Sequence, residues 1–124
     1  MAKLHTFTAD ERLKSRKRID ELFEKGQRFN AGPFRIFYLM QAGTKPSLKC
    51  GAGASSKNFK RAVDRNRIKR LIRECWRVEK YKLKGQPYEL DLFIIYTGKT
   101  IPAFRETAGW IDKVVTKLLQ LTNS

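Results

Sequence analysis

The sequence predicts an α/β fold in one domain. Three observations carry this. Apolar residues recur at helical spacing in three separate stretches, runs rich in β-formers lie between them, and turn residues punctuate the joins. The predicted order is helix, two or three strands, helix, strand, helix. A chain of 124 residues fits one domain and not comfortably two, so 1–124 is read as a single unit. A domain of that size buries a core without disulfides or metal.

Residues 1–14 are polar and basic and read as a flexible arm. Ser15 is placed to cap a helix and Gly26 to end it, with Ile19, Leu22 and Phe23 at i, i+3 and i+4 between them. Gly32-Pro33 breaks the chain. "PFRIFYLMQ" then reads as a strand. One face carries Phe34, Ile36, Tyr38 and Met40, the other Arg35, Phe37 and Leu39, so it must be covered on both sides or leave an apolar face open. Residues 42–47 form a turn. "LKCGAGASS" is a strand of poor propensity, and its run of glycine and alanine implies something large close to the backbone. The pattern is helical from about 58 to 84, where Lys84-Gly85-Gln86-Pro87 ends it. "YELDLFIIYT" is a strong buried strand. A last helix over about 103–121 has Trp110, Ile111, Val114, Leu118 and Leu121 as its apolar stripe.

Charge is the unusual quantity. Twenty-seven Lys and Arg face 12 Asp and Glu, a net charge of +15. Such a balance repels itself unless a polyanion neutralises it. Residues 57–84 alone hold twelve of the bases against three acids. At 100° per residue, Ile68, Leu71, Ile72, Cys75 and Val78 form one stripe of this helix. Asn66, Lys69, Arg70, Arg73, Arg77 and Lys80 form a ridge on the other side, with Arg65 and Arg67 at its borders. Glu79 falls on the apolar side, so the regular pattern weakens there. A merely solvated face mixes signs, with acids placed to pair with bases one turn away; this ridge is nearly single-signed. Arginine forks match phosphate oxygens, and Asn66 adds an amide of fixed hydrogen-bonding geometry. The reading is a nucleic-acid interface.

Catalytic chemistry is missing. His5 is the only histidine and lies in the arm. Cys50 and Cys75 form no C-x-x-C and read as small buried residues. Glu89 and Asp91 share a strand face as solvated or Lys-paired groups. There is no site with the clustered carboxylates or histidine base that a self-sufficient nuclease needs. No run approaches the ~18 apolar residues of a membrane span, and the N-terminus has no apolar signal core. The protein is expected in the cytoplasm, with no membrane partner and no DNA. Composition alone leaves open a basic structural RNA-binding protein of ribosomal type, with no enzymatic partnership.

One stretch is more specific. "RNRIKRLIRE", 65–74, resembles the signature helix of the bacterial ribonuclease P protein family almost letter for letter. "RLK" at 12–14, "LFEKG" at 22–26, "FRIF" at 34–37 and "GAGASSKN" at 51–58 are similar to its flanking features. The resemblance covers roughly 10–120. It implies an α+β sandwich, with a mixed sheet packed by helices in the order helix, three strands, helix, strand, helix. It implies a protein subunit without catalytic residues, whose RNA partner holds Mg²⁺ and cleaves precursor tRNA to give the mature 5′ end. By the same resemblance Lys57, Arg65, Asn66, Arg67, Lys69, Arg70 and Arg73 would touch the RNA subunit. Ile19, Phe23, Phe37, Ala52 and Ala54 would line a cleft for the single-stranded 5′ leader. Ile19 stands where the family often has Phe, and Ala52 and Ala54 replace bulkier residues, which implies a wider cleft with a weaker grip.

Overall fold

The structure is a computed structural model that describes residues 12–13, 15–42, 47–83 and 88–122. Most of the arm, the centre of the 42–47 turn and the 84–87 break lie outside these. Helix α1 (Arg16–Lys25) starts and stops where its caps predict. The Ser15 hydroxyl accepts from the Arg18 N–H at 3.4 Å, and the Gly26 N–H donates to the Leu22 carbonyl at 2.8 Å. Gly26 is not in the left-handed conformation of a C′ glycine: its φ is −74°. It is needed because the chain is crowded there. A Cβ would meet the Leu22 carbonyl and lie 2.8 Å from the carbonyl of Tyr38.

Strands β1 (Gln27–Ala31) and β2 (Phe34–Ala42) form an antiparallel hairpin, in register from Gln27 opposite Tyr38 to Ala31 opposite Phe34. β1 is the third strand that the pattern left open. Its five residues hold one strong β-former, Phe29, and pairing with β2 completes it. Gly32 turns the hairpin with φ 58°, and the Trp110 indole lies so close that a Cβ would sit 2.5 Å from its ring atoms. β3 (Ser47–Ala54) and β4 (Tyr88–Tyr96) complete a sheet of order β1-β2-β4-β3. β2 and β4 are antiparallel, while β3 and β4 are parallel. A parallel pair needs a crossover, and α2 (Ala62–Glu79) supplies it. Helix α3 (Phe104–Thr122) packs beside α2 on the same face of the sheet.

The core lies between that face and the two helices. Phe34, Ile36, Leu90, Leu92, Ile94 and Cys50 point into it from the strands. Ile68, Ile72, Cys75 and Trp76 answer from α2, and Ile111, Val114, Val115 and Leu118 from α3. The helical stripes hold with specific corrections. Trp76 is fully buried and Val78 is exposed; Val115 is buried and Leu121 lies at the surface. Lys80 leaves the ridge altogether and is buried. The regular helix ends at Glu79, as its misplaced acid implied, and a 3₁₀ turn (Lys80–Leu83) tightens the winding. Lys82 in that turn bonds Glu79 at 2.6 Å and Asp112 at 3.0 Å, tying the end of α2 to α3.

α2 also begins four residues later than its pattern predicts. Residues 55–60 are held as a turn: Asn58 Nδ2 donates to the carbonyls of Thr97 at 3.0 Å and Gly98 at 3.2 Å. These bonds anchor the segment to the end of β4, which the helical geometry would not allow. Within the arm, residues 12 and 13 are docked rather than loose. Arg12 bridges Cys50 on the open edge of β3, the Leu13 N–H donates to the Cys50 carbonyl at 3.0 Å, and Leu13 is buried.

Candidate nucleic-acid interface

The first part of the site is cationic. Asn66, Lys69, Arg70, Arg73, Glu74 and Arg77 of α2, with Arg12 at the edge of β3, line a groove of about 500 Å³. Five cations face one carboxylate, and that carboxylate, Glu74, lies 3.2 Å from Arg77. Partial burial and the nearby Arg12 guanidinium both lower the pKa of Arg73. The groove therefore concentrates positive charge that its own side chains do not neutralise, and an anion there relieves the repulsion.

The predicted contact residues separate into two groups. Asn66, Lys69, Arg70 and Arg73 come together in the groove. Lys57, Arg65 and Arg67 do not line it. Arg65 staples the preceding turn, its Nη1 donating to the carbonyls of Phe59 at 2.7 Å and Lys60 at 2.9 Å. Lys57 and Arg67 are exposed beyond the groove. Two residues join that the set of predicted contacts lacked. The helical wheel had already put Arg77 on the ridge. Arg12 stood only in the family-like "RLK" at 12–14 and not among the contacts; its pairing with β3 brings it there.

The second part lies on the other face of the sheet. Here α1 crosses the strands and leaves a trough of aromatic rings. Phe23 meets Phe37 edge-on at 4.7 Å and Phe93 at 5.3 Å between ring centroids, and is itself 42% exposed. Phe93 lies against Gly51 and Gly53: a Cβ on Gly51 would be 2.6 Å from its ring. This is the large neighbour that the small residues of β3 implied. Arg18 fixes α1 through a fork on Asp91, with contacts of 2.7, 2.8 and 3.1 Å. The expected Lys partner of the Glu89–Asp91 face is thus an arginine, with Glu89 at 4.0 Å. Ile19 is half-buried one turn before Phe23 on α1.

Ala52 and Ala54 are not on this face. The β3–β4 register pairs Ala52 with Ile94 and Ala54 with Tyr96, so both point toward the core, where Ala52 is buried. Their size does not widen the trough, whose β3 floor is Gly51 and Gly53. Phe93 was the residue missed. Alternation in "YELDLFIIY" puts it on the face of Glu89 and Asp91, and that polar face was the available sign of a surface facing away from the core.

The arrangement can hold phosphates on one side and stack bases on the other. Its two cysteines are not poised as nucleophiles. Cys50 and Cys75 are free and buried; burial raises both thiol pKa values, that of Cys75 to about 11. Among the described residues no three His, Cys, Asp or Glu side chains converge to hold a metal ion. Nor is any described helix long and apolar enough to cross a membrane.

The family model for Ribonuclease P matches residues 7–119. The chain belongs to the ribonuclease P protein family. It is 30% identical over 114 residues to the ribonuclease P protein component of Porphyromonas gingivalis, covering 87% of this chain and 82% of that one. It is 29% identical over 108 residues to that of Borrelia turicatae, covering 87% and 91%. The fold is similar to the solved RNase P protein of Staphylococcus aureus, with a TM-score of 0.64 and 21% identity over 88% of this chain and 94% of that one. The protein is thus a subunit of ribonuclease P, a tRNA-processing ribonucleoprotein nuclease whose chemistry is carried by RNA. The enzyme is metal-dependent, yet the described residues of this chain form no cage for the ion.

Proposed function

We propose that the α2 groove docks the ribonuclease P RNA, and that the aromatic trough binds the single-stranded 5′ leader of precursor tRNA. The observation that carries the reading is the pairing of two surfaces on opposite faces of one sheet. A groove of five cations lines α2 beside β3, and three phenylalanines converge over the central strands β4 and β2 on the opposite face. The cations neutralise the phosphates of a folded RNA. Phe23 and Phe37, with Phe93, give bases a stacking surface that needs no particular sequence. The catalytic Mg²⁺ is held by the RNA subunit, and the work is done in the cytoplasm. The protein's contribution is to bind, to hold the leader across β3, and to lower the cation concentration that the RNA needs.

The test mixes the protein with precursor tRNA and Mg²⁺, with or without ribonuclease P RNA. The expected result is no cleavage by protein alone and faster cleavage at low Mg²⁺ once both subunits are present. Cleavage by RNA-free protein, or no effect on the RNA's activity, would overturn the proposal. Phe37→Ala should weaken precursor tRNA more than mature tRNA. Equal losses would remove Phe37 from the leader path.

A further inference from the structure

The strand register extends the trough beyond its rings. Gly51, Phe93, Phe37 and Arg28 are consecutive partners across β3, β4, β2 and β1, so they form one row on the face that carries α1. Gly53, Ile95, Arg35 and Asn30 form the next row. Three strand spacings separate the ends of each row, about 14 Å. The glycine end lies beside Arg12 and the α2 groove. The far end opens into a separate cavity of about 550 Å³, lined by Arg28, Phe29, Asn30 and Arg35.

This far end has the chemistry of a phosphate site. Arg28 and Arg35 are exposed and are diagonal neighbours on the hairpin, with Cβ atoms about 7 Å apart, so one anion between them can reach both forks. Among the described residues neither has an ion-pair or hydrogen-bond partner. Asn30 lies directly opposite Arg35 and adds an amide donor. No acid lines the cavity. Two unpaired arginines on adjacent strands repel each other, and a bound phosphate removes that cost.

We infer that Arg28, Asn30 and Arg35 form a phosphate clamp at the hairpin end of the trough, which grips the single-stranded leader upstream of the stacked bases. The inference rests on the trough's role proposed above and adds a direction to it. The leader enters at the β3 edge, crosses the rings of Phe93 and Phe37, and leaves over β1. Grip then depends on leader length: a short leader ends on the rings, and a longer one reaches the arginines.

The test uses holoenzyme assembled with ribonuclease P RNA and three ligands: mature tRNA, precursor tRNA with a single-nucleotide leader, and precursor tRNA with a leader of about ten nucleotides. Binding is measured for wild type, for the double variant Arg28→Ala/Arg35→Ala, and for Phe37→Ala. The double variant should lose about tenfold affinity for the long leader alone, with the salt slope reduced by about one to two units. Its affinity for the other two ligands should not change. Equal loss on all three ligands, or no loss on the long leader, would overturn the clamp. If the double variant matches wild type while Phe37→Ala loses its preference for precursor, the clamp falls and the trough stands. If Phe37→Ala also keeps that preference, both fall. Both arginines are exposed, and a circular dichroism melt matching wild type confirms that the double variant is folded.

Discussion

Replacing Arg70 by alanine removes one of the five cations that line the α2 groove. Arg70 is exposed, so the substitution should change folding stability by less than about 0.5 kcal/mol. Its effect should appear in RNA binding. Each phosphate neutralised contributes about 0.7 to 0.9 to the log–log salt slope. Five cations matched to phosphates give a slope of about −4, and four give about −3. Between 50 and 200 mM salt the wild-type affinity for ribonuclease P RNA should fall by about 250-fold, and that of Arg70→Ala by about 60-fold. The assay is equilibrium binding to the isolated RNA subunit across that salt range. Lys117→Ala is the control: it removes an exposed cation from α3 and leaves the groove intact. An unchanged slope for Arg70→Ala, or equal flattening by Lys117→Ala, would refute the localisation of RNA contact to α2.

Other substitutions probe the trough and its supports. Gly51→Val would drive a side chain into Phe93; it should cost about 1 to 3 kcal/mol in denaturant unfolding and abolish the preference for precursor over mature tRNA. Asp91→Ala leaves Arg18 without its fork partner and should destabilise by about 2 kcal/mol, less than a fully buried pair because Arg18 is 37% exposed on its side chain; an unchanged unfolding midpoint would show that α1 is held by its apolar contacts alone. Cys50 and Cys75 should resist alkylation at neutral pH in the native protein and react fully in denaturant, because burial raises both thiols. Lys82→Met should cost about 0.5 kcal/mol at pH 7, as expected for an exposed pair. Its hydrogen bond holds the Asp112 pKa below the ordinary value, so this contribution is present above the unfolded carboxylate pKa and is lost as pH falls through the lowered folded value. A cost that persists at low pH would assign the effect to packing.

Local periodicity accounts for how much of this was legible in the sequence. The α1 caps, the core stripe of Ile68, Ile72 and Cys75, and the cluster of Asn66, Lys69, Arg70 and Arg73 all follow from spacing along one helix. A helix carries both its buried and its charged side in a single run of residues, so no distant partner is needed to tell them apart. The basic signature at 65–74 also sufficed to identify the family, which the match over 7–119 establishes.

Strands gave less. Alternation sorts their residues into two faces, yet it does not say which face meets the helices. In "GAGA" at 51–54 all four side chains are small, and the apolar alternation that would choose a face is absent. Only pairing with β4 turned Ala52 and Ala54 to the core and left Gly51 and Gly53 under Phe93. A bridge to Cys50 placed Arg12 beside Arg73, and the β1–β2 pairing brought Arg28 and Arg35 into one cavity although seven positions separate them. The sequence by itself determined the family, and the helix along which the cations gather into one ridge. The tertiary structure decided which residues share the trough, because that depends on register between strands far apart in the chain.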